Sequence, residues 1–436
     1  MKGRGTFALG FVALMVIGAI VLSSPFARVE GTWGDPLSAA FMACSAVCVT
    51  GLTVVDVAAE WTRAGQIALL ALVQLGCLSL MTLGIFFMIA VGRRLSIASE
   101  FSLRNAYGTA GVKGLRALVA WTVVSMLAIE GAGALLLRHW TDGWYESVYY
   151  AIMGFCNAGF GLRAGSLATF ADSPCAVLVM AAETILGGIG FLVIYNLCTF
   201  RFLRRSDGAK GRLTLHTRTV LRVTACLLAI GFAAFLALEW NGALAGCAPL
   251  KKLWIAFYQS VTPRTCGFTI TPMETLRPLT RLVYEVLMFI GGAPGSAAAG
   301  LKVTTFAVIV CTMAAMCRGD TETVIDRRLI STEVVRESLV ILLVMIALVT
   351  GVTGTLLFTE GGAISTDALF FEAVSAVTTT GLSIGSTTVQ LSPAGKIILM
   401  AAMFAGRLGA LTVVMMIGDR ESPARIRYPN GELIVG

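Results

Sequence analysis

The chain alternates long apolar runs with short ones. Long runs cover residues 7–24, 66–91, 117–137, 175–200, 219–238, 280–317, 338–358 and 394–417. They fall into four pairs, and most are long enough to cross a bilayer, which takes ~20 helical residues. Inside each pair lies a shorter apolar stretch of about a dozen residues, too short to cross. Helix-start signals precede several of these: Asp35-Pro36, Thr141-Asp142 and Ser365-Thr366. Two of the later long runs open in the same way, with Asp172-Ser173-Pro174 and Ser392-Pro393. Each short stretch is expected to be a half-helix that enters the membrane and stops.

All four stops look alike. They read Ser45-Ala46-Val47-Cys48-Val49-Thr50-Gly51-Leu52, Gly154-Phe155-Cys156-Asn157-Ala158-Gly159-Phe160, Thr262-Pro263-Arg264-Thr265-Cys266-Gly267-Phe268 and Ser375-Ala376-Val377-Thr378-Thr379-Thr380-Gly381-Leu382-Ser383. Gly51, Gly159, Gly267 and Gly381 are separated by 108, 108 and 114 residues. One such segment is a weak signal, but four at near-constant spacing make an internal repeat. The expected fold is an all-α, polytopic membrane protein. It has four repeats of helix, pore half-helix, filter loop and helix, giving eight transmembrane helices around one central pore. The repeats span 1–93, 94–205, 206–318 (with a broken second helix) and 319–419, and a cytoplasmic tail follows at 420–436.

Composition agrees. The chain is 57% hydrophobic and 13% charged, well short of the quarter that a soluble surface carries. A net charge of +8 is explained by cytoplasmic loops rather than by nucleic acid. The termini and the three connecting loops hold 21 Lys and Arg, against 10 in the four pore-loop segments. The bias puts both termini in the cytoplasm, although in the third connecting loop acids outnumber bases. The first 30 residues resemble a secretory signal, with Lys2 and Arg4 before an apolar core; the repeat needs that helix, so it is read as an uncleaved first crossing. There are 11 cysteines, mostly in apolar segments, no CxxC pair and two histidines, His139 and His216. That excludes a disulfide framework or a structural zinc site. Cys44 and Cys48 are read as coincident packing, and the chain is not read as an enzyme.

The glycine stops point to cation chemistry. Backbone that leaves helix geometry inside a bilayer must line water or be buried in protein. A half-helix ends in partial negative charge, and the loop beyond it offers carbonyl oxygens that replace an ion's hydration shell. Glycine lets those carbonyls turn inward at no steric cost. The candidate filter residues are Val49, Thr50, Gly51, Asn157, Ala158, Gly159, Thr265, Cys266, Gly267, Thr379, Thr380 and Gly381. No carboxylate occupies the loops, which argues against a divalent-ion filter. The sixth long run contains Gly291, Gly292, Pro294, Gly295, Ser296 and Gly300 before Lys302, and it cannot be one continuous helix. It is expected to lie under the third filter loop and act as a gate. Arg407, within the last run, is expected to reach its carbonyls, because a charge at that depth must be paired or wet. Lys302 does the same or snorkels. Glu130 and Glu183 also fall within apolar runs, and pairing with a neighbouring helix is their default.

These residues resemble the Trk/Ktr/HKT superfamily of potassium transporters, and most of all the membrane subunit of Ktr-type systems, the KtrB branch. Ser45 through Asp56 matches the family's first filter, and the segments ending at Phe160, Phe268 and Ser383 look like the other three. Met288 through Gly292, Pro294 through Ser296 and Lys302 through Phe306 are similar to its intramembrane gating loop. Gly406-Arg407-Leu408-Gly409 resembles its arginine-bearing last helix, and Arg427-Tyr428-Pro429 its Ktr-branch tail. The resemblance implies transported K+, a homodimer with one pore per protomer, and sodium as an activator in many members. It also implies a cytosolic ring of nucleotide-binding regulatory subunits (KtrA-like) on which ATP or ADP controls opening, with no cofactor in this chain. Location in the inner (plasma) membrane follows. Two departures stand out: Cys266 replaces the usual Ala, and Ala297-Ala298-Ala299 replaces the usual Thr-Gly-Gly, making the loop less polar and less flexible. The rival reading is a broken-helix secondary transporter of another monovalent cation such as sodium.

Overall fold

A computed structural model describes residues 2–91, 112–163, 165–200 and 213–409. The expected tail, half of the basic connecting-loop residues and the end of the last apolar run lie outside the described residues. The first long helix, short helix and following helix are α1 (Lys2–Ser23), α2 (Pro36–Val47) and α3 (Arg63–Val91). The same order follows in α4 (Val112–Leu137), α5 (Trp144–Cys156) and the pair α6 (Pro174–Ile189) and α7 (Phe191–Thr199). It continues in α8 (Leu215–Glu239), α9 (Pro249–Val261) and the pair α10 (Pro278–Phe289) and α11 (Val303–Cys317). It ends with α12 (Thr332–Thr359), α13 (Thr366–Val377) and α14 (Pro393–Leu408). A two-residue hairpin, Val324–Ile325 against Arg328–Leu329, joins α11 to α12.

Among the described residues, Ala120–Leu137, Leu215–Glu239 and Thr332–Thr359 are long and apolar enough to cross a membrane. Their outer faces stay apolar: Leu127, Leu135, Ile230, Leu343 and Phe358 are all exposed, which suits contact with lipid rather than water. The short helices are the core. In α13 every residue from Ala368 to Val377 except Phe370 is buried. Close packing there depends on small residues, as in membrane bundles generally. A methyl group on Gly76, Gly187 or Gly406 would overlap the carbonyl oxygen of Val47, Phe155 or Val377 respectively. Each of these carbonyls sits at or next to the end of a short helix.

Side-chain caps start several helices. The Asp35 carboxylate accepts from the Leu37 and Ser38 amides, the Ser365 hydroxyl from Ala368 and the Ser392 hydroxyl from Gly395. The Ser38 hydroxyl and amide hold the Asp35 carboxyl below its usual range. Thr141-Asp142 is not a cap. Gly143 precedes α5 without a side-chain bond, Glu146 reaches back to the Asp142 amide at 2.8 Å, and Thr141 pairs with Ser147. Two buried glutamates do related work at the far ends of α8 and α12. Glu239 accepts from the Arg277 amide and Thr280 hydroxyl at the head of α10. Glu360 accepts from the Ser392 amide and hydroxyl at the head of α14.

The run 175–200 departs from expectation. Instead of one continuous helix it bends by 98° between α6 and α7. The reason is the glycine-rich turn Gly187-Gly188-Ile189-Gly190. Gly190 sits at φ 85°, ψ 149°, outside helix geometry, and the Phe191 amide is satisfied by the Gly295 carbonyl instead.

Candidate functional site

All four candidate filter glycines have positive φ: 94° at Gly51, 70° at Gly159, 77° at Gly267 and 85° at Gly381. Two residues before each, a non-glycine residue is also left-handed: Val49 (53°), Asn157 (57°), Thr265 (66°) and Thr379 (50°). Left-handed backbone at a β-branched residue is costly and persists only when its surroundings hold it. Here it recurs at three of the four stops; the fourth has Asn157, which tolerates the left-handed region.

What holds it is the half-helix behind. The amides of Thr50 and Thr380 donate to the carbonyls of Ser45 and Ser375, each at 2.8 Å, and those of Ala158 and Cys266 to Met153 and Thr262. The hydroxyls of Ser45 and Ser375 then accept from the Gly51 and Gly381 amides. In a trans peptide the carbonyl points opposite the amide. The carbonyls of Val49, Thr50, Asn157, Thr265, Thr379 and Thr380 therefore point away from the half-helices.

The four loops close on each other. A methyl group on Gly51 would overlap the Ala158 carbonyl oxygen, and one on Gly159 would lie 2.9 Å from the Gly267 Cα. On Gly267 it would lie 2.8 Å from the Thr380 oxygen, and on Gly381 it would overlap the Thr50 oxygen. Gly51, Gly159, Gly267 and Gly381 thus form a ring, each against the next loop's backbone. Buried in the same loops, the hydroxyls of Thr50, Thr265 and Thr379 have no protein partner. Orphaned buried hydroxyls call for a ligand or water. A ring of carbonyls and hydroxyls, without carboxylate, can hold a dehydrated monovalent cation.

Residues 290–302 form the expected break between α10 and α11. The segment doubles back: Gly291 donates to the Leu301 carbonyl and Leu301 to that of Phe289. It docks on the α6–α7 bend, where Ala293 and Ala297 donate to the carbonyls of Gly188 and Gly187. Two expected cations grip it. Arg407 donates to the Ala297 carbonyl at 2.6 Å and Lys302 to that of Ala298 at 2.6 Å. Ser296 closes the turn onto the Ala293 carbonyl. Gly292, Pro294, Gly295 and Gly300 shape the same turn.

Glu130 accepts from the Gln74 amide at 2.9 and 3.1 Å, a pairing across helices as expected. Glu183 is also buried, but its Oε2 has no partner. Sequence reasoning missed two residues here. Arg264, buried beside the third filter loop, donates to the Gly291 carbonyl at 3.0 Å. Glu372 is fully buried in α13 and accepts from Ser383 and Thr388. A charge inside an apolar segment was the available signal for both.

Comparison with known proteins follows the same lines. Residues 11–423 match the family model "TrkH: Cation transport protein". The Ktr system potassium uptake protein B of Bacillus subtilis is 34% identical, over 98% of this chain and 96% of that protein. The potassium/sodium uptake protein NtpJ of Enterococcus hirae is 32% identical over the same shares. The crystal structure of the potassium transporter TrkH from Vibrio parahaemolyticus superposes with a TM-score of 0.72 at 16% identity, covering 97% of this chain and 86% of that one; it supports the fold. From the family match along nearly the whole chain, with full-length relatives above 30% identity, it follows that this protein belongs to the TrkH family of cation transport proteins.

Proposed function

We propose that this chain is the pore-forming subunit of a potassium uptake system, passing K+ inward through the ring of Gly51, Gly159, Gly267 and Gly381. The observation that carries the reading is the closure of that ring with three unpartnered threonine hydroxyls in its loops. Half-helix ends directed at the ring add partial negative charge. No chemistry is required: a membrane potential of ~100 mV supplies ~2.3 kcal/mol per monovalent charge. Relatives named as potassium uptake proteins support the same cation.

The architecture proposed with this function is four repeats and eight crossings of the inner membrane around one pore, with the repeat boundaries given above and both termini cytoplasmic. The loop at 290–302 is its gate, closed by Arg407 and Lys302. A cytosolic nucleotide-binding regulator controls the gate, sodium acts as activator, and two protomers pair. A sodium-coupled rocking transporter is the second reading; the four-membered ring favours a pore.

The test is growth of a potassium-uptake-deficient bacterium on low potassium, expressing the native chain or Gly267→Asp with a matching regulator. Rescue by the native chain alone is expected. Equal rescue by both removes Gly267 from the filter and with it the four-loop pore.

A further inference from the structure

The gating loop and the filter touch through one side chain. The position three residues before each filter glycine is occupied by Cys48, Cys156, Arg264 and Thr378. Three are small and uncharged, and only the third is a cation. It stands in the third segment, the one whose following helix is interrupted by residues 290–302. In the other three segments a glycine on the following helix seats the terminal carbonyl of the half-helix: Gly76, Gly187 and Gly406. In the third, 25 residues after Gly267 (the offset of Gly76 from Gly51 and of Gly406 from Gly381), the helix has already ended, and Gly291-Gly292 open the break.

Arg264 spans that gap. Its Nη2 donates to the Gly291 carbonyl at 3.0 Å, and its Nη1 is buried without a partner. The side chain is only 7% exposed, and no carboxylate is paired with it among the described residues. A buried guanidinium depends on every acceptor it has, so displacing Gly291 strips Arg264 of its one protein acceptor among the described residues. The next residue, Thr265, is held left-handed at φ 66°, a conformation that lasts only while its surroundings enforce it. Arg264 also borders a small cavity lined by Thr184, Gly188, Thr224 and Gly292.

We propose that Arg264 is a positioning residue that couples the gating loop to the selectivity filter: its bond to Gly291 braces the Thr265–Gly267 loop, so that release of the gating loop also loosens the filter. The proposal rests on the filter and gate reading above.

A double-mutant cycle tests it, read as rubidium influx and as rubidium-over-sodium preference in proteoliposomes of the full chain. The variants are Arg264→Met, Arg264→Lys, Arg407→Ala and Arg264→Met with Arg407→Ala, with Gly267→Asp as control. With the gating loop held, Arg264→Met is expected to lower the preference roughly tenfold, as suits loss of a charged hydrogen bond. Arg264→Lys, which keeps a donor and a charge, stays near the native value. In the Arg407→Ala background the loop is already released, and Arg264→Met adds less than about a twofold change. Equal losses in both backgrounds would make Arg264 a filter residue indifferent to the gate and overturn the coupling. So would no loss in either. Influx through Gly267→Asp at the native rate is a separate result and overturns the filter reading itself.

Discussion

Arg407 Nη1 lies 2.6 Å from the Ala297 carbonyl oxygen, 110 residues away in sequence. The guanidinium is 2% exposed, and its Nε and Nη2 have no partner. A cation in this position holds the loop at 290–302, and the loop in turn partly compensates a charge that would otherwise be buried unpaired.

Arg407→Ala removes a charged hydrogen bond worth ~1.5–3 kcal/mol. It is expected to raise rubidium influx without the regulator by about tenfold or more. Influx in proteoliposomes checks this; an unchanged or lower rate from well-folded protein would take Arg407 out of the gate.

Gly381→Ala puts a methyl group into the Thr50 carbonyl at a backbone φ of 85°. Transport should fall to background in the complementation strain. Gly131→Ala is the control, since nothing lies within 4 Å of its added methyl and α4 is continuous there. It is expected to transport normally and gain up to ~1 kcal/mol of stability.

Glu372 braces the segment beyond the fourth glycine loop by accepting from Ser383 and Thr388. Truncation in Glu372→Ala leaves the half-buried Ser383 hydroxyl and the buried Thr388 hydroxyl short of an acceptor, a cost of ~1–3 kcal/mol. A lower melting temperature and a lower rubidium-over-sodium preference are expected. Glu372→Gln keeps an acceptor oxygen and should recover most of both.

Glu360 joins the end of α12 to the head of α14 through the Ser392 amide and hydroxyl. Glu360→Ala should destabilise the protein by ~1–3 kcal/mol, measured as a fall in melting temperature in detergent. A shift no larger than that of an exposed-site control would show that the clamp is dispensable.

Asp35 gives the pH dependence a sign. Its carboxyl is held below the ordinary value of 3.8, first by the Ser38 hydroxyl and then by the Ser38 amide. A depressed folded value contributes stability that is present above the unfolded value and is lost as pH falls through the folded one. The native chain should therefore lose the contribution of the α2 cap only below about pH 4. Asp35→Ala, which costs ~1 kcal/mol at neutral pH, should converge with the native melting temperature in acid. A constant gap between the two down to pH 3 would contradict the cap.

Local chemistry made much of this protein legible before any coordinates. Half-helix lengths follow from short apolar stretches between cap residues and glycine stops, and α2, α9 and α13 end four to six residues before Gly51, Gly267 and Gly381. The interruption at 290–302 follows from four glycines and a proline, which cannot sustain helix hydrogen bonding. Those features need only the backbone preferences of neighbouring residues, and near-equal spacing multiplied the signal fourfold. The bend at Gly190 was missed, because its glycines are tolerated in a membrane helix until another segment supplies the acceptor for the Phe191 amide. Which carbonyl Arg264 or Arg407 meets, which loop each filter glycine faces, and which hydroxyls serve Glu372 are long-range pairings. Hydrogen bonds and close packing are short in space and indifferent to chain distance, so only the tertiary structure decides them.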